Sequence, residues 1–221
     1  MFTSSATQYF DCTCNVGGGH YGNPPVGKIY GMGCIIDKTH VLTAAHCWTA
    51  VKHEYEWPAV FTLDRWYRCD VAFYNEETDI LLLRLIGLVR QFPASLKQPE
   101  RYGQLGDGQI SLGAQVGFIS QLTLPNTLKH PDTMTHFSAA FVSMMVPGTE
   151  PPRFALSGTV VQEGFSGSPV FFPSGSIVGV LVASLSFRAN FQDAMAPIYI
   201  LPVISPIKPV LRALRDALET K

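Results

Sequence analysis

The chain is 221 residues long, with 47% hydrophobic and 15% charged residues and a formal net charge of −1. This balance can bury a sizeable core, which excludes an intrinsically disordered chain, and it lacks the strong positive charge of a nucleic-acid-binding surface. The clustered cations Arg212 and Arg215 read as the solvated face of a helix.

In chain order, Met1 to Tyr9 carries no basic residue and no apolar segment, so no secretory signal is expected there. Five cysteines follow, Cys12, Cys14, Cys34, Cys47 and Cys69. An odd count leaves at least one thiol unpaired within the chain, which points to a reducing, cytoplasmic compartment. Cys12 and Cys14 with His20 lack the second cysteine pair of a structural zinc site, so neither a metal nor another cofactor is expected. Gly31 to Ile36 and His40 to Thr43, separated by Asp37-Lys38, predict a hairpin. Val71 to Tyr74 and Ile80 to Leu85 predict further strands, and residues 93–108, rich in Pro, Gly, Gln and charge, read as a connector. Short apolar runs at 114–119, 134–146, 157–161, 169–172 and 177–184 predict more strands, with Ser174-Gly175 as a hairpin turn.

Near the end, Ile207, Val210, Leu211, Leu214 and Leu218 recur close to the 3.6-residue period. They predict a helix over 206–218, with Ser205 as its N-cap and Pro206 at its first position. No stretch reaches the roughly 18–20 apolar residues that span a bilayer; the best, 199–211, is broken by Pro202, Pro206 and Pro209. Regular short strands without an internal repeat predict an all-β fold. The expected architecture is a single domain over residues 1–221, built of two antiparallel β-barrels (about 1–100 and about 101–221) and a C-terminal α-helix.

Three segments carry chemistry. In Gly164-Phe-Ser166-Gly-Ser-Pro169, glycines on both sides of a serine let the backbone turn sharply and free its N–H groups. A serine hydroxyl needs an adjacent base to act as a nucleophile, and donors for the oxyanion formed on attack. Gly164 and Ser166 are the candidate donors. In Val41-Leu-Thr-Ala-Ala-His46-Cys47, a histidine follows an apolar strand, and its titration range suits a general base that later serves as acid. Asp79 precedes the apolar run Ile80 to Leu83, where a carboxylate is costly without a partner; an imidazole N–H is a suitable one. Singly, each has a plain structural reading: a Gly/Ser turn, a structural histidine, a strand-initiating Asp. Together, in the order His, Asp, Ser, they match the triad of chymotrypsin folds rather than subtilisins or α/β-hydrolases.

These motifs resemble the trypsin/chymotrypsin-like serine peptidase family over roughly residues 26 to 215. Thr43-Ala-Ala-His46-Cys47 resembles its histidine motif, Asp79 to Leu85 its aspartate strand and Gly164 to Pro169 its nucleophile loop. The resemblance implies a double β-barrel and an endopeptidase with His46, Asp79 and Ser166 as catalytic triad. Gly164 to Ser184 is similar to the bacterial glutamyl endopeptidases, and Tyr199-Ile-Leu-Pro202 before the helix is similar to HtrA-type proteases, here without a PDZ segment. Two departures stand out. Phe165 replaces the Asp that, in secreted trypsins, pairs with the N-terminus released on zymogen cleavage, so that activation route is not expected. The disulfide flanking the histidine is also expected to be absent, leaving Cys47 as a free thiol.

The family pattern places Val160, followed by Val161, at the base of the primary specificity pocket, and Val182, Ala183 and Ser184 on its wall. Glu163 borders the nucleophile loop and reads more simply as an exposed charge. No carboxylate is available for a basic substrate residue, so a preference for apolar or small residues on the acyl side is expected. The partner is then a peptide or protein substrate. Two alternatives share the fold: a catalytically silent peptide-binding module, and an enzyme latent until a protein partner orders the Gly164 loop.

Overall fold

A computed structural model describes residues 12–20, 27–62, 65–88, 102–123, 133–188 and 198–220. Six strands form a closed antiparallel barrel: β1 (Thr13–Gly19), β2 (Gly27–Ile35), β3 (His40–Ala44), β4 (Trp57–Thr62), β5 (Arg65–Asn75) and β6 (Ile80–Leu88), in the order β1-β2-β3-β6-β5-β4. One helical turn, α1 (His46–Thr49), interrupts them after β3. The second half contributes β7 (Gln104–Leu105), β8 (Gln115–Thr123), β9 (Thr133–Met145), β10 (Phe154–Ser157), β11 (Pro169–Phe171), β12 (Ser176–Arg188) and β13 (Ile198–Pro206). Their order is β11-β8-β9-β10-β13-β12, and pairing of β11 with β12 closes a second six-stranded barrel. The short β7 joins the outside of that ring, parallel to β12. The expected pair of antiparallel barrels followed by a terminal helix is thus the observed architecture.

The burial of individual strands explains their sequences. In β6, Ile80, Leu81, Leu82 and Leu83 are all fully buried in one cluster, so the run is continuously apolar instead of alternating. In β12, Val178 and Leu181 point into the second barrel's core, while Ile177, Val180 and Val182 face a seam shared with the first barrel. A strand covered on both faces has no place for the polar half of a period-2 pattern. The seam core continues through Val203 of β13 to Ile207, Val210, Leu211 and Leu214, which belong to the same cluster as β3, β5 and β6. The chain end that leaves the second barrel therefore packs against the first.

Three expectations need correction. The helix α2 spans Leu211–Glu219, preceded by a 3₁₀ turn at Lys208–Val210. Ser205 and Pro206, expected as N-cap and first helical residue, belong to β13, paired with Val180 and Gly179. Tertiary pairing with β12 extends the strand past the point where local signals open a helix. The strand expected at 157–161 is instead β10, which ends at Ser157, because it pairs with β9 only up to Phe141 and Gly158 then turns with φ +82°. β1 and β4 were not expected at all: β1 reads Thr-Cys-Asn-Val-Gly-Gly-Gly, and β4 carries Pro58 near its start, both of which look like loop. Residues 93–101 of the expected connector lie outside the described residues; 104–105 form β7. Among the described residues no helix is long and apolar enough to cross a membrane.

Candidate active site

β3 and β6 run antiparallel, with Ala44 opposite Ile80. Residues just after β3 and just before β6 therefore emerge at the same end of this pair, which brings His46 to Asp79 although they are far apart in sequence. The backbone enters α1 at His46, with Trp48 N–H and Thr49 N–H donating to the Ala45 carbonyl at 3.1 and 3.0 Å. His46 Nδ1 lies 2.6 Å from Asp79 Oδ2, and the backbone N–H of His46 donates to Oδ1 at 2.8 Å. The carboxylate thus grips both ring and backbone, which fixes the ring orientation and assigns the Nδ1 proton to this bond.

The turn carrying Asp79 is built to hold it. Asn75 Oδ1 accepts from both N–H and Oγ1 of Thr78, each at 2.8 Å, and Asp79 N–H closes the turn on the Glu76 carbonyl at 3.1 Å. Ala45 N–H donates to the Asp79 carbonyl at 2.9 Å. Asp79 has φ +55° and is the one non-glycine residue with positive φ among those described. Asp tolerates this left-handed region better than most residues, and the surrounding bonds keep it there.

Burial of the His46 ring works to lower its pKa. The hydrogen bond to Asp79, then that to Cys47 and the charges of both groups, outweigh burial and raise it to about 10. The bond to Asp79 thus favours the protonated ring over the neutral one.

Ser166 reaches the same region from the second barrel. Met32 N–H donates to the Ser166 carbonyl at 2.6 Å, and the Cys47 thiol donates to that same oxygen at 3.5 Å. Cys47 directly follows His46, so the serine's backbone abuts the turn that presents the histidine. At Gly167 a Cβ would run into the Met32 carbonyl and Thr43 Oγ1, and φ is +86°. Only glycine satisfies both the close approach and the backbone angle. Gly167 N–H donates to Leu181 O at 2.7 Å and Leu181 N–H returns to Ser168 O at 3.0 Å, tying the loop to β12.

Before the serine, Phe165 N–H bonds Gln162 O at 3.2 Å, with Gly164 at φ +91° as third residue of the turn, the type II signature. Among the described residues Gly164 N–H and Ser166 N–H have no acceptor. Phe165 is buried in the second barrel's core, edge-on to Phe118 with ring centroids 6.5 Å apart. Ser166 Oγ makes no hydrogen bond to the His46 ring in this resting geometry, a contact that often tightens only once substrate is bound.

The remaining candidates are dispersed between surface and core. Val161 is half-buried beside the second core and Glu163 is exposed. Val160, expected at the base of a pocket, is 70% exposed, because the segment after Gly158 is irregular instead of a buried strand. Val182 is buried in the inter-barrel seam, and Ala183 and Ser184 are exposed on β12. One edge of β12 pairs with β13 from Gly179 to Arg188; the other pairs with β11 only as far as Val180, and beyond it no strand among the described residues covers Ala183 to Ser186. The five cysteines are all outside disulfide bonds. Cys12 Sγ lies 3.5 Å from Cys34 Sγ inside the first barrel, and exposed His20 stacks on Tyr55. For Cys47, the reason is visible: Gly31 stands directly against its sulfur, and a glycine offers no partner thiol.

Three supporting residues were not anticipated. Asn75 had a readable signal, an Asn three residues before a Thr. Gly31 and Met32, which receive the Ser166 carbonyl, had none, because a close approach between barrels leaves no local trace.

The sequence profile of the trypsin-like peptidase domain matches residues 31–180. No curated protein matches the chain. Among solved structures, it is similar to the inactive form of Rv3671c from M. tuberculosis H37Rv, carrying a serine-to-alanine substitution, with TM-score 0.58 and 15% identity over 99% of this chain and 92% of that one.

Proposed function

Because the chain belongs to the trypsin-like peptidase domain family, we propose that it is a serine endopeptidase in which His46, Asp79 and Ser166 form the catalytic triad. The observation that carries this reading is the two-point bond of the Asp79 carboxylate to the ring and backbone of His46. In the proposed cycle His46, in its neutral form, takes the Ser166 proton through Nε2 as the hydroxyl attacks the scissile carbonyl. Asp79 stabilises the resulting imidazolium. The N–H groups of Gly164 and Ser166 receive the oxyanion. His46 then returns the proton to the leaving amine, and a water molecule, activated in the same way, releases the acyl group.

The edge of β12 from Ala183 to Ser186, which no strand among the described residues covers, offers backbone groups to an extended peptide, which would add as a strand. Val161, Ala183 and Ser184 carry no charge that would pair with a basic substrate residue, in keeping with cleavage after apolar or small residues. The buried Phe165 and the formed type II turn favour a site assembled without an activating partner over the latent alternative.

The test is active-site labelling. A fluorophosphonate should modify Ser166 in the folded protein, and Ser166→Ala should abolish labelling and lower peptide hydrolysis by about 10⁴-fold or more. Folded protein that neither labels nor cleaves a diverse peptide library would leave the silent binding module as the better account.

A further inference from the structure

We propose that Arg153 is a positioning residue for the His46–Asp79 pair, holding from the second barrel the turn on which Asp79 stands. The inference rests on the serine-endopeptidase reading and adds a residue to it. Arg153 Nη2 donates to the Glu77 carbonyl at 3.1 Å, across 76 positions of sequence. Glu77 lies inside the turn closed by Asp79 N–H on Glu76 O. Every other bond that holds this turn comes from the first barrel: Asn75 to Thr78, Ala45 to Asp79 and His46 to Asp79. Asp79 itself sits at a left-handed φ of +55°, so its geometry depends on its surroundings. A donor fixed on the opposite barrel sets where the turn stands relative to the half of the molecule that carries Ser166.

The backbone that carries the donor is well anchored. Val146 N–H donates to the Arg153 carbonyl at 2.8 Å, Arg153 N–H donates to Thr149 Oγ1 at 3.0 Å, and that hydroxyl donates to Val146 O at 2.9 Å. This closed set pins the Arg153 backbone between β9 and β10. The groups that raise the His46 pKa are Asp79 and Cys47, and Arg153 is not among them. Its action therefore runs through the Glu77 carbonyl and the geometry of the turn, with Glu76 and Glu77 on the turn, Tyr74 on β5 and Glu150 on the Arg153 loop as the nearby titratable groups by sequence.

The experiment compares Arg153→Ala and Arg153→Lys with the wild-type chain by three readouts: thermal stability, the NMR titration of the His46 ring, and kcat and KM on a cleaved peptide. In Arg153→Ala the His46 midpoint should move to lower pH, and kcat should fall about five- to tenfold at nearly constant KM. The melting temperature should stay within about 2 °C, as for loss of one partly exposed hydrogen bond. Arg153→Lys, which keeps one donor, should restore most of both losses. An unchanged His46 titration in Arg153→Ala overturns the proposal, as does a kcat loss that merely follows loss of folded protein. Should wild-type protein neither label at Ser166 nor cleave, the endopeptidase reading fails separately. The His46 titration then still decides, a shift in Arg153→Ala upholding the positioning role and no shift overturning it.

Discussion

Asp79 holds His46 by two bonds from one carboxylate, Oδ2 to the ring Nδ1 at 2.6 Å and Oδ1 to the backbone N–H at 2.8 Å. Ring rotation and main-chain displacement are restrained by the same group, so the histidine is oriented before any substrate arrives.

The first prediction concerns pH. With its folded-state pKa raised from 6.5 to about 10, chiefly by the Asp79 bond acting against burial, His46 contributes stability that is complete below about pH 6.5 and is lost as pH rises through about 10. As the proposed general base His46 must be neutral, so peptide hydrolysis should rise on the alkaline side of neutrality. Asp79→Asn should shift the acid limb of the kcat/KM profile towards the ordinary histidine range and lower kcat by about 10⁴-fold. An acid limb unmoved by Asp79→Asn would contradict the pairing.

The two glycines of the nucleophile loop should respond differently. Gly167→Ala meets both a forbidden φ and the Met32 carbonyl, and should cost about 3–5 kcal/mol in urea unfolding. Gly164→Ala has open space around its Cβ but a φ of +91°, so its cost should be about 1–2 kcal/mol. Its larger effect should be on rate: a turn that flips to avoid the strain withdraws one of the two proposed oxyanion donors, worth about 10²-fold or more in kcat. Equal stability losses for the two variants would show that the close approach to β2 is not what holds the loop.

Phe165 anchors the same loop by burial. Phe165→Ala should destabilise by about 3–5 kcal/mol and reduce kcat in the protein that remains folded. Phe165→Leu, which refills most of the space, should cost under about 1.5 kcal/mol and keep most activity. Circular dichroism melts with parallel kinetics distinguish the two.

The terminal helix should matter for the first barrel although it follows the second. Leu214→Ala removes a fully buried side chain from the seam and should cost about 2–5 kcal/mol. The neighbouring Arg215→Ala, on the exposed face, should change stability by no more than about 0.5 kcal/mol. Chemical denaturation of both variants checks the contrast.

The linear chain by itself determined the all-β class, the strands Ile80 to Leu83 and Ile177 to Val180, and the three motifs with their glycines, because apolar runs, turn residues and a glycine-flanked serine are local patterns. Tertiary structure alone decided the rest. Pairing with β12 drew Ser205 and Pro206 into a strand that local signals had made a helix start, and pairing with β2 and β4 made a strand of the glycine-rich β1. The register of β3 against β6 brought His46 to Asp79, and the Met32–Ser166 bond docked one barrel's loop on the other. Such contacts join residues far apart in sequence, and their energy depends on distances that exist only once both barrels have closed.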